Sequence, residues 1–350
     1  MLNNLLRWEN VDARSLAQRS DLRASWDQLN GTRGALPFLD SEAMVCALQI
    51  LGDGSERLLL ARCDGALQAM FLLIPQGAFK WSSFQPSQMP LGAWVARPEL
   101  ALTDLARSLL RGPLGLCLVL SITQVDPCIA SRAGDAPDRR HSDYVDTGWI
   151  DINGSFELYW ASRGKNLRQN MRKQRAKLLA EGVGLRLQVL REHAQMAPAI
   201  ARYGELESAG WKAQTGTAIH PDNQQGRYYR ALLEKASLRG EALVTQYLFD
   251  DRVVAMNLCL EREGTLIVLK TTYDESIQTC SPAFLLRESE LQQIHAEGRI
   301  KRVEYFGRVM DWHTKLTDRK RGLYHLSQYR WSVLRRVAEW RQPKLPLKDA

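Results

Sequence analysis

Three segments in the second half of the chain, residues 243–249, 253–261 and 265–272, are dense in Val, Leu, Ile and Thr and are separated by the turn pairs Asp250-Asp251 and Glu263-Gly264. Short apolar runs bounded by turn residues predict a three-stranded meander. Pro282 then opens a predicted helix to about Glu297, because proline's missing N–H has no partner at the first helical position anyway, and Gly298 stops it. Residues 302–306 read as the next strand. The first half repeats this order with weaker signals. Residues 57–62 and 66–74 form a predicted hairpin about Asp64-Gly65, 77–84 add a third strand, 98–111 a helix and 115–123 a buried strand. Strand, strand, strand, helix, strand, met twice, predicts an α/β (α+β) protein of two similar halves, each a mixed, mainly antiparallel sheet flanked by helices. The polar, turn-rich stretch 134–141 (GDAPDRRH) is the predicted boundary. The expected division is a first domain at 1–133, a linker at 134–145 and a second domain at 146–350.

Composition changes this picture little. The 350 residues are 45% hydrophobic and 25% charged, enough for two domains of ordinary size. No run approaches the roughly 18 consecutive apolar residues of a membrane span, and residues 1–9 lack the apolar core of a signal peptide, so a cytoplasmic protein is expected. The six cysteines are scattered, with no CxxC pair and no Cys/His spacing suited to a metal, which predicts reduced thiols and no metal.

Charge is more informative. The net +8 is concentrated in two places. Seven basic residues and no acid lie between Arg163 and Lys177, and a second basic stretch runs from Lys315 to Lys348 around Arg319-Lys320-Arg321 and Arg335-Arg336. In the first, Leu167, Met171 and Leu178 fall on one helical stripe and Arg168, Arg172 and Arg175 on another, a pattern suited to phosphate or carboxylate, or to a solvated face. Nothing resembling a zinc finger or a reading helix accompanies it, so nucleic acid is a minor option.

The helix start at Ser281-Pro282-Ala283-Phe284, with Arg287 one turn on, follows directly on a strand, and its unpaired backbone amides and dipole suit phosphate oxygens. An ordinary capped helix reads the same way. For proton transfer the candidates are Glu205, Glu207, Tyr273, Asp274 and His313, all near predicted strand ends or loops.

Taken together, these residues resemble a known family. Ser162 to Asn170 with the basic run, Glu207-Ser-Ala-Gly-Trp211-Lys212 with 216–219 (GTAI), Lys270-Thr-Thr-Tyr273-Asp274-Glu275, Ser281-Pro282 and Tyr305-Phe306-Gly307 are similar to the GNAT acyltransferases associated with cellulose and exopolysaccharide biosynthesis, which are related to Fem-type peptidyl transferases. The likeness covers about residues 145–320, and 26–39 with the hairpin after them look like a degenerate first half. It implies tandem GNAT domains, acetyl-CoA or another acyl-CoA as donor, no metal, and an amine, hydroxyl or saccharide acceptor. It places Asn166, Arg168, Arg172, Trp211, Lys212 and Lys270 on the substrate side and Ser281, Pro282, Ala283, Phe284 and Arg287 at the donor. The usual Gly-x-Gly or Gly-x-Ala pyrophosphate loop is absent, and Ala283 stands where the family has Gly. A Fem-like transferase using charged tRNA, and a non-catalytic anion-binding or scaffold protein, are the alternative readings.

Overall fold

The computed structural model describes residues 6–208 and 219–341. In chain order the elements are β1 (Arg7–Asp12), α1 (Ser15–Gln18), α2 (Ser20–Gly31), α3 (Ser41–Leu51), β2 (Arg57–Cys63), β3 (Ala66–Pro75), β4 (Lys80–Ser83), β5 (Trp94–Ala96), α4 (Leu102–Arg111), β6 (Val119–Val125) and β7 (Arg139–Asp151). There follow α5 (Phe156–Ala161), α6 (Lys165–Ala180), β8 (Leu185–Leu190), α7 (His193–Ser208), α8 (Gln224–Ser237), β9 (Ala242–Phe249), β10 (Arg252–Arg262), β11 (Thr265–Tyr273), α9 (Pro282–Glu297), β12 (Arg302–Glu304), α10 (Asp311–Thr314), β13 (Lys320–Tyr329) and α11 (Ser332–Arg341).

Two compact units result. Among the described residues, 6–48, 52–145 and 322–341 form the first, and 49–51 with 146–321 the second. Their first five strands are wired alike, and the sixth comes from opposite ends of the unit's sequence. In the first unit the strand order is β1-β2-β3-β4-β6-β13, with β5 also on β3, and only β4 and β6 run parallel, joined by α4. The second has β8-β9-β10-β11-β12-β7, with only β11 and β12 parallel, joined by α9. A meander followed by one helical crossover to a parallel strand is the order read from the sequence, now seen in each unit, so the mixed α/β, GNAT-like expectation holds.

The division differs from the sequence reading in two respects. Residues 139–145 of the expected linker lie in β7, and the unit boundary, at 145/146, falls inside that strand. Its polar composition concealed it, because the buried positions include His141 and Thr147. Residues 322–341 belong with the first unit, where β13 pairs with β6 from Val119↔Tyr329 to Val125↔Tyr324.

Each unit has its own core. In the first, Leu102, Leu105, Ala106 and Leu109 of α4 pack on Leu59, Phe71 and Leu120 of the sheet. In the second, Leu167, Met171 and Leu178 of α6 and Leu285, Leu286, Leu291 and Ile294 of α9 cover Leu243, Ala255, Cys259 and Val268. Spacings of three, four and seven residues put these side chains on one helical face, the stripe expected for α6. No helix among the described residues is long and apolar enough to cross a membrane.

Arg33, just past α2, is almost fully buried in the first unit. Its guanidinium donates to the carbonyls of Ala96, Ile129, Arg97 and Leu100 at 2.7 to 2.9 Å and lies over the Trp94 ring. One side chain therefore serves four carbonyls at once, of which that of Arg97 also accepts from the Leu100 N–H at 3.1 Å. Arg33→Met is expected to deprive these carbonyls of a buried donor in an apolar setting and to lower stability by about 3 kcal/mol or more. A urea midpoint within error of the parent's would contradict that account.

Candidate functional site

β11 and β12 pair in parallel over only three residue pairs, Thr265↔Arg302 to Ile267↔Glu304. β11 continues to Tyr273, so from Val268 onward its outer edge has no strand beside it among the described residues. Alternation along this open stretch sends neighbours to opposite faces. Thr271 faces α9 and accepts a hydrogen bond from Arg287 Nη2 at 3.0 Å. Lys270 faces the other way, with its Nζ 5.8 Å from the centroid of the Tyr229 ring of α8.

On the α9 side two helices begin against one cavity of about 480 Å³, lined by Arg163, Gly164, Asn166, Asn170, Ser281, Phe284, Thr314 and Lys315 among others. α6 starts after Gly164 and α9 after Ser281; both are 16 residues long, neither has a side-chain cap, and neither carries an acid in its first turn. The opening amides of α6, at 165–167, have no intrahelical partner, whereas at α9 Pro282 has no N–H and the Ser281, Phe284 and Leu285 amides are bonded to carbonyls, which leaves the Ala283 N–H; both helix dipoles start at this cavity. Ser281 sits in the left-handed region (φ 56°, ψ 46°), uncommon for a residue with a side chain, and its Oγ accepts from Asn170 Nδ2 at 3.2 Å. Lys315 Nζ lies 5.3 Å from the Phe284 ring centroid. The structure thus brings Asn166, expected on the substrate side, to the same cavity as Ser281 and Phe284, expected at the donor. It adds Arg163, Asn170 and Lys315, which the sequence reading quoted but did not select.

Deeper on this side, Arg287 is buried, donates to the Ala283 carbonyl at 2.9 Å and stacks 3.8 Å from the Trp312 ring centroid. No carboxylate among the described residues lies within ion-pairing distance of it. Burial lowers its pKa. Tyr305 packs edge-on to Trp312 and His313, and burial raises its pKa. Tyr273 shares the Thr271 face of β11 and packs against the same core. His313 does not fit a proton-accepting role at Nδ1: that atom accepts from the Met310 N–H at 2.9 Å, and burial with the nearby Arg287 charge pushes the ring down to about 4.

The predicted arginine stripe of α6 is not an open ligand face. Arg175 donates to Glu288 at 2.7 Å and to Ser289 at 3.1 Å, fastening α6 to α9, and Arg168 Nε donates to the Arg163 carbonyl; Arg172 is exposed. The helix also starts three residues later than Ser162, because the chain breaks at 162–164 between α5 and α6.

The acids separate clearly. Glu207, at the end of α7, is buried; its Oε2 accepts from the Ile219 N–H at 2.7 Å, and its charge adds to burial in raising the pKa of Tyr203 and Tyr229. Lys270 reaches that same Tyr229. Glu205 is exposed. Asp274 is buried, which works against ionisation, but bonds from Ser276 N–H (2.9 Å) and Oγ (2.6 Å) and an ion pair with Arg252 outweigh this and hold its carboxyl below the ordinary value. Its oxygens are occupied, as is Oε2 of Glu207. Trp211 and Lys212 lie outside the described residues.

Residues 165–338 match the family model described as an acetyltransferase (GNAT) domain. No curated protein sequence matches the chain. Among solved structures the fold is similar to that of FemX (TM-score 0.56, 10% identity, 91% of this chain and 98% of that one). It is also similar to the C-terminal domain of a putative lysylphosphatidylglycerol synthetase from Agrobacterium fabrum (0.53, 15%, 84% and 90%) and to a conserved protein from Bacteroides thetaiotaomicron (0.52, 12%, 90% and 97%). At such identities the likeness is one of fold. Residues 165–338 are thus similar to GNAT acetyltransferase domains, and the chain shares its fold with these structures. No group of three or more His, Cys, Asp or Glu suited to a metal occurs among the described residues.

A polar row crosses the sheet under α9, since Thr245, Asn257 and Thr271 are direct cross-strand neighbours. Thr245 Oγ1 and Asn257 Nδ2 donate to the two oxygens of buried Glu290 at 2.8 and 3.0 Å. Burial nonetheless raises the pKa of Glu290. The native state then holds this proton more tightly than the unfolded chain, so the carboxyl weakens the fold as pH climbs from its ordinary 4.5 through the raised native value. Glu290→Gln keeps the shape and stays neutral, and the Thr245 hydroxyl can turn to accept from it. The variant is expected to melt a few degrees above the parent at pH 8, since about 1 kcal/mol corresponds to roughly 2–4 °C in a domain of this size. The gain should vanish below pH 4.5, and equal melting points at pH 8 would refute it.

Proposed function

We propose that the protein is an acyltransferase that moves an acyl group, in the simplest case acetyl, from acyl-CoA to an amine or hydroxyl acceptor. The observation that carries this reading is the pair of uncapped helix starts, α6 and α9, on one cavity with Arg163, Lys315 and a single acid, Asp318, at its wall. The free amides of 165–167 and of Ala283, with the two helix starts, suit the phosphates of the donor. The pantetheine arm carries amides that suit the unpaired edge of β11, as an extended peptide suits a free strand. Its thioester would then reach the level of Thr271 and Tyr273, near buried Arg287 and Tyr305.

The acceptor approaches from the Lys270 face. Its nitrogen or oxygen attacks the thioester carbonyl carbon while Glu207 takes the proton it loses; the C–S bond then breaks and CoA leaves, protonated to its thiol. Direct transfer needs no covalent enzyme intermediate and no metal. Ala283 in place of a glycine leaves only a methyl group at the donor's entrance. A cytoplasmic location, a saccharide or other cell-envelope acceptor, and a first unit without catalytic duty belong to the same reading.

Thermal unfolding with acetyl-CoA, a long-chain acyl-CoA or free CoA tests the donor site. Ligand at about 100 times its Kd contributes roughly 2.7 kcal/mol, a rise of several degrees. Ala283→Glu places a carboxylate at the helix start. It is expected to leave the ligand-free melting point unchanged or slightly higher, because an acid there favours the dipole, yet to abolish the rise. Absence of any shift with all three CoA species would sink the acyl-CoA reading. Steeply salt-dependent binding of charged tRNA would then favour the Fem-like one. Binding of acetyl-CoA without release of free thiol in the presence of amine and saccharide acceptors would mark a non-catalytic protein.

A further inference from the structure

In the first unit, the starts of β4 and β6 and the end of β13 lie at one end of the sheet, since Lys80 and Tyr329 both pair with Val119. The loops there are tied together. The Leu118 N–H donates to the Phe79 carbonyl at 2.7 Å, the Arg330 N–H to the Leu118 carbonyl at 2.9 Å, and Arg330 Nε to the Cys117 carbonyl at 2.7 Å. This single end exposes Phe79, Leu116, Trp331 and, on α11, Val333, Val337 and Trp340. They are six of the eleven large hydrophobic side chains exposed among the described residues, and Trp340 is 86% exposed.

α11 shows why. Val333, Val337 and Trp340 stand at i, i+4 and i+7 and form one stripe. The opposite face is pinned to the unit, where Arg335 donates to the Arg139 carbonyl at 2.9 Å and pairs with Asp135 and Glu339. The helix is thus held with its apolar stripe outward. Exposed Lys80, Arg111 and Arg336 lie at the same end, while the helix's one acid, Glu339, is paired with Arg335. Aromatic and aliphatic tips flanked by lysine and arginine, on a helix too short to span, match the interface of an anionic bilayer, where apolar tips enter the headgroup boundary and basic side chains meet lipid phosphates. We propose that this end of the first unit docks on an anionic membrane surface. The helix lies in the plane of the interface, with Trp331 and Trp340 as anchors.

Vesicle co-sedimentation of the full chain tests this, using phosphatidylcholine alone and phosphatidylcholine mixed with phosphatidylglycerol. Three basic residues at roughly fivefold each give on the order of a hundredfold preference for the phosphatidylglycerol vesicles, weakened by salt. Tryptophan emission should shift to the blue on binding. The double variant Trp331→Ala, Trp340→Ala is expected to bind roughly tenfold more weakly, and Arg336→Glu to lose affinity for the anionic vesicles alone. Both should keep the parent's unfolding midpoint, as the positions are exposed. No binding to either vesicle, equal binding to both, or binding untouched by the tryptophan pair would overturn the proposal. So would a concentration-dependent dimer that the pair abolishes without any vesicle binding, which would assign the face to a second copy.

Discussion

Because β12 is three residues long, it leaves β11 after Ile267, and from there a row of backbone groups in the middle of the second unit has no strand to pair with among the described residues. Unpaired strand edges are ordinarily found at the rim of a sheet, where they are shortened, charged or covered. Here the open edge lies inside the strand order, between β10's partner and β7's. The rest of the site depends on this gap. It lets side chains of opposite faces, Thr271 with α9 and Lys270 with α8, border the same opening, and it sets the start of α9 one short loop beyond the strand's end.

α9 shows the cost of such an arrangement. A helix that only filled the core would bury Leu285, Leu286, Leu291 and Ile294, and this one buries Arg287 and Glu290 as well. Burying two ionisable groups is unfavourable unless each finds partners, and both do so on the Thr245-Asn257-Thr271 row and at the Trp312 ring. An apolar replacement of similar volume would be as stable or more so. A buried cation stacked on an aromatic ring, with no ion-pair partner among the described residues, is not a stabilising device, and its presence fits the proposed anion-accepting role.

How much of this was legible in the sequence follows from which contacts are local. The meander β9-β10-β11 and the bounds of α9 came through because their signals, apolar runs between turn pairs, proline at the first position and glycine after the last, lie within a few residues of the elements they define. β1, β7, β8 and β13 did not. Each is half polar and gains its place only by pairing with strands far off in the chain, such as β13 with β6 about two hundred residues earlier. The same limit applies to the site. Ser281, Phe284 and Asn166 were singled out from their motifs, but Asn166 was assigned to the substrate side, and the structure sets it on the cavity of the other two; that Glu288 takes Arg175 of the α6 stripe cannot be read without the fold. Glu205 and Glu207, two residues apart, were equivalent in sequence and differ completely in burial.

The strand order shared by the two units raises the question of why the proposed site lies in only one of them. In the first unit β4 and β6 also pair in parallel over three residues, 80–82 with 119–121, but β4 ends at Ser83, where the pairing ends, so no long open edge follows. The place where the strands would part is sealed. Ser83 Oγ lies 2.8 Å from Thr123 Oγ1 and accepts from the Thr123 N–H at 2.9 Å. Gly92 packs so tightly there that a Cβ would come within 2.6 Å of the Thr123 carbonyl and 2.7 Å of Ser83 Oγ. Where the second unit leaves backbone groups unserved, the first spends a serine, a threonine and a glycine to close them. A duplicated fold can keep its crossover helix and parallel strand for packing alone, and the open edge, more than the element order, separates a unit able to hold a ligand from one that props up the sheet.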